Sequence, residues 1–140
     1  MQIDRESIIK IIPQRDPFVM VHNLIEASEE NGFKSSFQIQ NDNIFLIDGI
    51  VSEGSLIENI AQTCAAGFGY LNSLKGDNKG QLGFIGAVSK LKVHNVAKLN
   101  DELSTNVVIL GTFDRVFLIK GEIFCNEKSL IECQMKIVII

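Results

Sequence analysis

Ser55-Leu56-Ile57-Glu58-Asn59-Ile60-Ala61-Gln62-Thr63-Cys64-Ala65-Ala66-Gly67-Phe68-Gly69-Tyr70-Leu71-Asn72-Ser73-Leu74 is the most apolar long segment of the chain, and its spacing decides the fold. Ile57, Ile60, Ala61, Cys64 and Phe68 recur at helical intervals, so the segment predicts a helix beginning at Ser55. Glu58, Asn59, Gln62 and Asn72 make it too polar for a membrane span and suit it to burial inside a protein. Gly67 and Gly69 each cost a helix roughly 1 kcal/mol relative to alanine at an exposed site. A helix that keeps them needs something to approach it closely, and a sheet wrapped around it meets that need. Polar turn residues from Gly76 to Gly80 close the helix.

Strand signals lie on both sides. Upstream, Asp4 caps a short helix expected over Arg5 to Ile12, which Pro13 stops. Phe18 to Ala27 reads as a strand and Asn31-Gly32 as a turn. Phe33, Ser35, Phe37 and Ile39 then alternate with Lys34, Ser36, Gln38 and Gln40, followed by a loop around Asp48 and Gly49. Downstream, Ala87, Ser89, Leu91 and Val93 alternate with Val88, Lys90, Lys92 and His94. Leu103 to Phe113 and Val116 to Cys125 follow, and Asn126-Glu127-Lys128 turns the chain into a last strand. There Ile131, Cys133, Met135, Ile137 and Ile139 share one face, opposite Glu132, Gln134 and Lys136. One long apolar helix among antiparallel strands is an α+β layout. A curved antiparallel sheet wrapped around a long central helix, the hotdog fold, fits it best.

The chain has 140 residues, 46% of them hydrophobic and 21% charged, which predicts one globular domain over residues 1–140. A net charge of −4 argues against a nucleic-acid partner. The start, Met1 to Glu6, carries acidic residues and no apolar run, so no signal peptide is visible. Three widely spaced cysteines, Cys64, Cys125 and Cys133, form neither a disulfide framework nor a zinc signature. Reduced thiols in a cytoplasmic protein are the expectation. No metal or cofactor motif is present.

Two stretches carry a resemblance. Ile12-Pro13-Gln14-Arg15-Asp16-Pro17-Phe18-Val19-Met20-Val21 is similar to the entry segment Leu-Pro-His-Arg-x-Pro-Phe-Leu-Leu-Val of the bacterial 3-hydroxyacyl-[acyl carrier protein] dehydratases of fatty acid biosynthesis. Glu58-Asn59-Ile60-Ala61-Gln62 resembles the Glu-x-Met-Ala-Gln of that family's central helix. The stretch from Ala61-Gln62 through Ala65-Ala66 to Gly69-Tyr70 looks most like the branch found in aryl-polyene-type clusters. Asp101, Lys120-Gly121 and the turn at Asn126 to Lys128 keep the family's spacing, so the likeness covers nearly the whole chain.

The resemblance implies a hotdog dimer with two active sites at the subunit interface. It also implies a histidine from one subunit and a carboxylate from the partner's helix acting on a 3-hydroxyacyl thioester. That chemistry needs a base for the α-proton, an acid for the departing hydroxyl, and donors for an enolate-like oxygen. Glu58 matches the helix carboxylate, although Ser55-Leu56-Ile57-Glu58 also reads as a capping box that folds Glu58 back on the helix start. Gln62, one turn on, corresponds to an orienting residue. Gln14 stands where the family keeps its catalytic histidine, and an amide cannot take and return a proton near neutral pH. Either Gln14 hydrogen-bonds a thioester carbonyl or hydroxyl, or it is a solvated loop residue. His22 and His94 are the two histidines present; both read as structural or surface residues, with His22 the better substitute base. Gly54, just before the expected helix, would let a thioester approach backbone N–H groups, although Ser52-Glu53-Gly54 is out of register with the family's proline-glycine entry. Lys90, Lys92, Lys98 and Arg15 either meet an acidic carrier or phosphopantetheine or form a solvated face.

The leading expectation is therefore an acyl-thioester-binding protein similar to these dehydratases. It is either impaired in catalysis or works with an active partner subunit. Its ligand is an acyl carrier protein or coenzyme A thioester, and its assembly is a homodimer or a heterodimer with a related hotdog subunit. The alternatives are a hotdog acyl thioesterase in which Glu58 activates water, and a non-catalytic acyl-binding subunit.

Overall fold

The computed structural model describes residues 2–76 and 83–140. In chain order the elements are α1 (Arg5–Ile8), β1 (Asn23–Ser28), β2 (Gly32–Gln38), β3 (Leu46–Ile47), β4 (Ile50–Val51), α2 (Glu53–Leu74), β5 (Gly83–Val93), β6 (Ala97–Lys98), β7 (Glu102–Phe113), β8 (Val116–Cys125) and β9 (Lys128–Ile139). Six strands form an antiparallel sheet in the order β1-β2-β7-β8-β9-β5, and β3-β4-β6 form a small second sheet. The large sheet curves around α2 in the hotdog arrangement. Leu56, Ile60 and Cys64 of α2 share one core with Phe33 and Phe37 of β2, Leu103 and Val107 of β7, Ile119 and Ile123 of β8, and Met135 of β9.

The two helix glycines are there for close packing. A Cβ on Gly67 would lie 2.3 Å from the Phe33 ring of β2, and one on Gly69 would lie 2.4 Å from the Ile11 carbonyl oxygen. The sheet thus explains Gly67, while the entry segment explains Gly69.

Three boundaries and the facing of one strand differ from the sequence expectation, each for a physical reason. Helix α1 ends at Ile8, not Ile12, because the chain tightens into turns in which Lys10 N–H bonds the Ser7 carbonyl at 3.2 Å and Ile11 N–H the Ile8 carbonyl at 2.9 Å. Strand β1 starts at Asn23, not Phe18, because side chains of α2 take up the backbone groups of Phe18 and Met20 that a ladder would have used. Helix α2 starts at Glu53, two residues earlier than expected: Ser52 is the N-cap, its hydroxyl accepting from Ser55 N–H at 3.3 Å. In β5 the simple alternation fails. Irregular pairing between Ser89 and Lys92, with Lys90 at φ 51°, inserts an extra residue. Val88 and Val93 therefore pair with Met135 and Ile131 and share the inner face. Of the expected closing turn, Gly76 lies at the end of α2 and residues 77–80 fall outside the described residues. Among the described residues, no helix is long and apolar enough to cross a membrane.

Candidate functional site

Because α2 begins at Glu53 with Ser52 as its N-cap, Glu58 sits in its second turn and is not part of a capping box. The hydroxyl of Ser55 is itself engaged, donating to the Ser52 carbonyl at 2.6 Å. Glu58 instead accepts a hydrogen bond from Gln62 Nε2 at 2.8 Å, across one helical turn. The orientation of that amide is fixed. Gln62 Oε1 accepts from Met20 N–H at 2.6 Å, and its Nε2 also donates to the Phe18 carbonyl at 2.9 Å. Gln62 is fully buried and supports Glu58 from behind.

Glu58 and Gln14 line one cavity of about 260 Å³. Its floor is the face of α2 formed by Glu58, Ala61, Ala65, Phe68, Gly69 and Asn72, a run of about 21 Å at the helical rise. Ile11, Pro13 and Gln14 form one wall; Gly83, Phe84 and Ile85 of β5 with Ile137 and Ile139 of β9 form the other. The space is an apolar slot with a carboxylate and an amide among its walls. Oε1 of Gln14 is buried and has no hydrogen-bond partner among the described residues. An orphaned buried acceptor of this kind costs stability unless something donates to it. Within this one chain, Glu58 and Gln14 line the same cavity.

The other predicted residues lie elsewhere. Gly54 is exposed in the first turn of α2 and is not among the cavity walls, so the expected oxyanion position is not joined to Glu58 in this chain. His22 packs on the Phe37 ring at 4.4 Å and accepts from Gln38 N–H at Nδ1 at 3.1 Å. It opens on a separate polar cleft with Arg5, Asp16 and Asp42, so the structure does not bring it to Glu58. Burial, with the Arg5 charge adding to it, lowers the His22 pKa below 6.5. His94 and Lys92 flank Glu132, at 4.0 and 3.7 Å. Arg15 turns back on the entry segment, donating to the carbonyls of Ile12 and Gln14 at 2.8 Å each. Lys98 lies in β6, where its backbone N–H donates to Asp101. Burial pushes the Cys64 thiol up to about 12 and the Cys133 thiol up to about 11, so neither is a nucleophile near neutral pH.

Sequence reasoning missed the polar side chains behind Gln62. Asn59, Thr63, Ser35 and Thr105 are all fully buried. The available signal was a hydroxyl on an otherwise apolar strand face, as at Ser35 between Phe33 and Phe37.

Comparison with known proteins adds a family. The model of the ApeP-like family, described as ApeP dehydratase, matches residues 6–139. The 3-hydroxyacyl-[acyl-carrier-protein] dehydratase FabZ of Oceanobacillus iheyensis is 28% identical over 137 residues, covering 90% of this chain and 95% of the relative. FabZ of Bacillus subtilis is 26% identical over 139 residues, covering 89% and 93%. Among solved structures, the dehydratase heterocomplex ApeI:P from Xenorhabdus doucetiae superposes with a TM-score of 0.87 at 17% identity, over 95% of this chain and 90% of that one.

Proposed function

The chain belongs to the ApeP-like dehydratase family, and from that premise we propose that it binds 3-hydroxyacyl thioesters in the slot beside Glu58 without being able to dehydrate them efficiently alone. The observation that carries this reading is the shared cavity of Glu58 and Gln14. Dehydration needs one group to accept the α-proton and another to give a proton to the leaving hydroxyl. Glu58 can take one role. Gln14 can hydrogen-bond a carbonyl or hydroxyl, but its amide is neither a general acid nor a general base near neutral pH. The missing acid-base partner is supplied by a related hotdog subunit that retains a histidine.

The edge of the sheet supports such pairing. Ile85, Val88, Leu91 and Val93 of β5 are exposed at 39%, 37%, 42% and 42%, an apolar edge strand of the kind that pairs with another chain. The dehydratase heterocomplex among the similar structures points the same way, as does the departure at Gln14. We treat residues 1–140 as one cytoplasmic domain. The acyl group arrives on an acyl carrier protein or coenzyme A.

Incubation with a 3-hydroxyacyl group on acyl carrier protein, following the enoyl product, tests the reading. The expected result is negligible product from the chain alone and rapid product once a histidine-bearing hotdog partner is added. Turnover by the pure chain, lost in Glu58→Gln, would contradict the impaired reading. Free thiol without enoyl product would assign Glu58 to water activation and make the protein a thioesterase.

A further inference from the structure

The inner faces of β2 and β7 are apolar at Phe33, Phe37, Leu103 and Val107, yet Ser35 and Thr105 stand among them. These two are direct register partners, and both are fully buried. A core alone would favour aliphatic residues there, since a buried hydroxyl costs free energy unless it is bonded. Both are bonded to α2. Ser35 Oγ lies 2.7 Å from Thr63 Oγ1, and Thr105 Oγ1 donates to Asn59 Oδ1 at 2.6 Å.

The direction of each bond follows from the next. Thr63 gives its proton to the Asn59 carbonyl at 2.8 Å, so Ser35 donates to Thr63. Thr105 gives its proton to Asn59 Oδ1, which leaves Asn59 Nδ2 facing the Met20 carbonyl at 2.6 Å. Met20 N–H in turn donates to Gln62 Oε1, which turns Gln62 Nε2 toward Glu58. Two side chains of α2 thus grip Met20 from both of its backbone groups, and one of them bonds the carboxylate in the cavity.

We infer that Thr105 and Asn59 are positioning residues, which lock Met20 and through it hold the Gln62 amide with its N–H on Glu58. The functional part of this inference rests on the reading that Glu58 acts on the thioester. It gives the buried hydroxyl of β7 a role beyond packing.

The test compares Thr105→Val, Thr105→Ser and Ser35→Ala in the full-length chain. Two readouts are taken: the Gln62 side-chain amide signals by NMR, and the kinetics of the complex with a histidine-bearing partner. Thr105→Val is expected to shift or broaden the Gln62 amide signals and lower kcat by about tenfold or more, with KM changed less than about twofold. Thr105→Ser restores both. Ser35→Ala breaks the neighbouring bond without touching the Asn59 amide, so it loses stability but leaves the Gln62 signals and kcat near wild type. If Thr105→Val does not fold, Thr105→Cys, with its weak donor, is expected to displace the Gln62 signals partway. Unchanged Gln62 signals in the folded Thr105 variant, or equal displacement by Ser35→Ala, would overturn the inference. The NMR readout needs no turnover. Displaced Gln62 signals without any enoyl product would therefore sink the Glu58 reading and leave the positioning intact.

Discussion

On the proposed reading, Gln14 stands where the family resemblance places a catalytic histidine, and the slot around it decides what an amide can do there. Its Oε1 is buried with no hydrogen-bond partner among the described residues, while Glu58, which lines the same cavity, is held by Gln62. Replacing the amide by an imidazole restores a group that transfers protons near neutral pH. Gln14→His is expected to raise dehydration by about a hundredfold or more, measured as enoyl formation. No gain in a folded, ligand-binding variant would show that more of the pocket has diverged than this one residue. His22 allows a separate test at the same scale. Its pKa is lowered in the folded chain by burial and Arg5, so near and below 6.5 the unfolded chain binds more protons than the folded one. Its contribution to stability is therefore present above 6.5 and falls as the pH drops through that value. His22→Gln is expected to flatten the loss of stability between pH 7 and pH 5.5 in urea titrations; an unchanged slope would contradict the burial argument.

Helix α2 shows why some elements were readable in the sequence and others were not. Its apolar spacing and its two glycines announced a helix packed tightly against a sheet, and Gly67 against Phe33 is that contact. Gly67→Ala is expected to destabilise the chain by about 1–3 kcal/mol in chemical denaturation, despite alanine's better helix propensity, because Phe33 is boxed into the core. Strands β8 and β9 were equally plain, bounded by turn residues and alternating from Ile131 to Ile137, although their register shifts at Ile123 and Phe124. The start of α2 was misread because Ser52 and Ser55 are both competent caps, and local chemistry alone does not choose between them. That error made Glu58 look like a capping residue. The false strand from Phe18 came from apolar residues whose backbone is tied to Asn59 and Gln62, a long-range fact that no local pattern carries. The two-residue strands β3, β4 and β6 have too little periodicity to register at all. Within the site, Glu58 and Gln14 were found through family spacing. Gly54 was placed against the family's proline-glycine entry despite a shift in register, and His22 against the end of its entry segment; neither lines the slot.

At the scale of the molecule, α2 packs mainly against β1, β2 and β7 of the curved sheet, and β5 forms an edge with exposed apolar side chains. If β5 is the surface that receives the second subunit, then a charge at Val88, which is 37% exposed, opposes the pairing. Val88→Lys is expected to yield a folded monomer by sedimentation, and to abolish the enoyl formation that depends on the histidine-bearing partner. A variant that still assembles would move the interface elsewhere. The slot itself lies along α2 and ends between β5 and β9, so the ligand site and the pairing edge adjoin each other. Small side chains at Ala61, Ala65 and Gly69 keep that slot open. Filling it with Ala65→Phe leaves Glu58 and Gln14 in place and removes only the space. Calorimetric titration of a non-hydrolysable 3-hydroxyacyl pantetheine analogue, into wild type and into folded Ala65→Phe, is therefore the most direct test. Saturable binding by wild type that disappears in Ala65→Phe is the predicted result; equal binding by both, or none by wild type even with its partner present, would contradict the account.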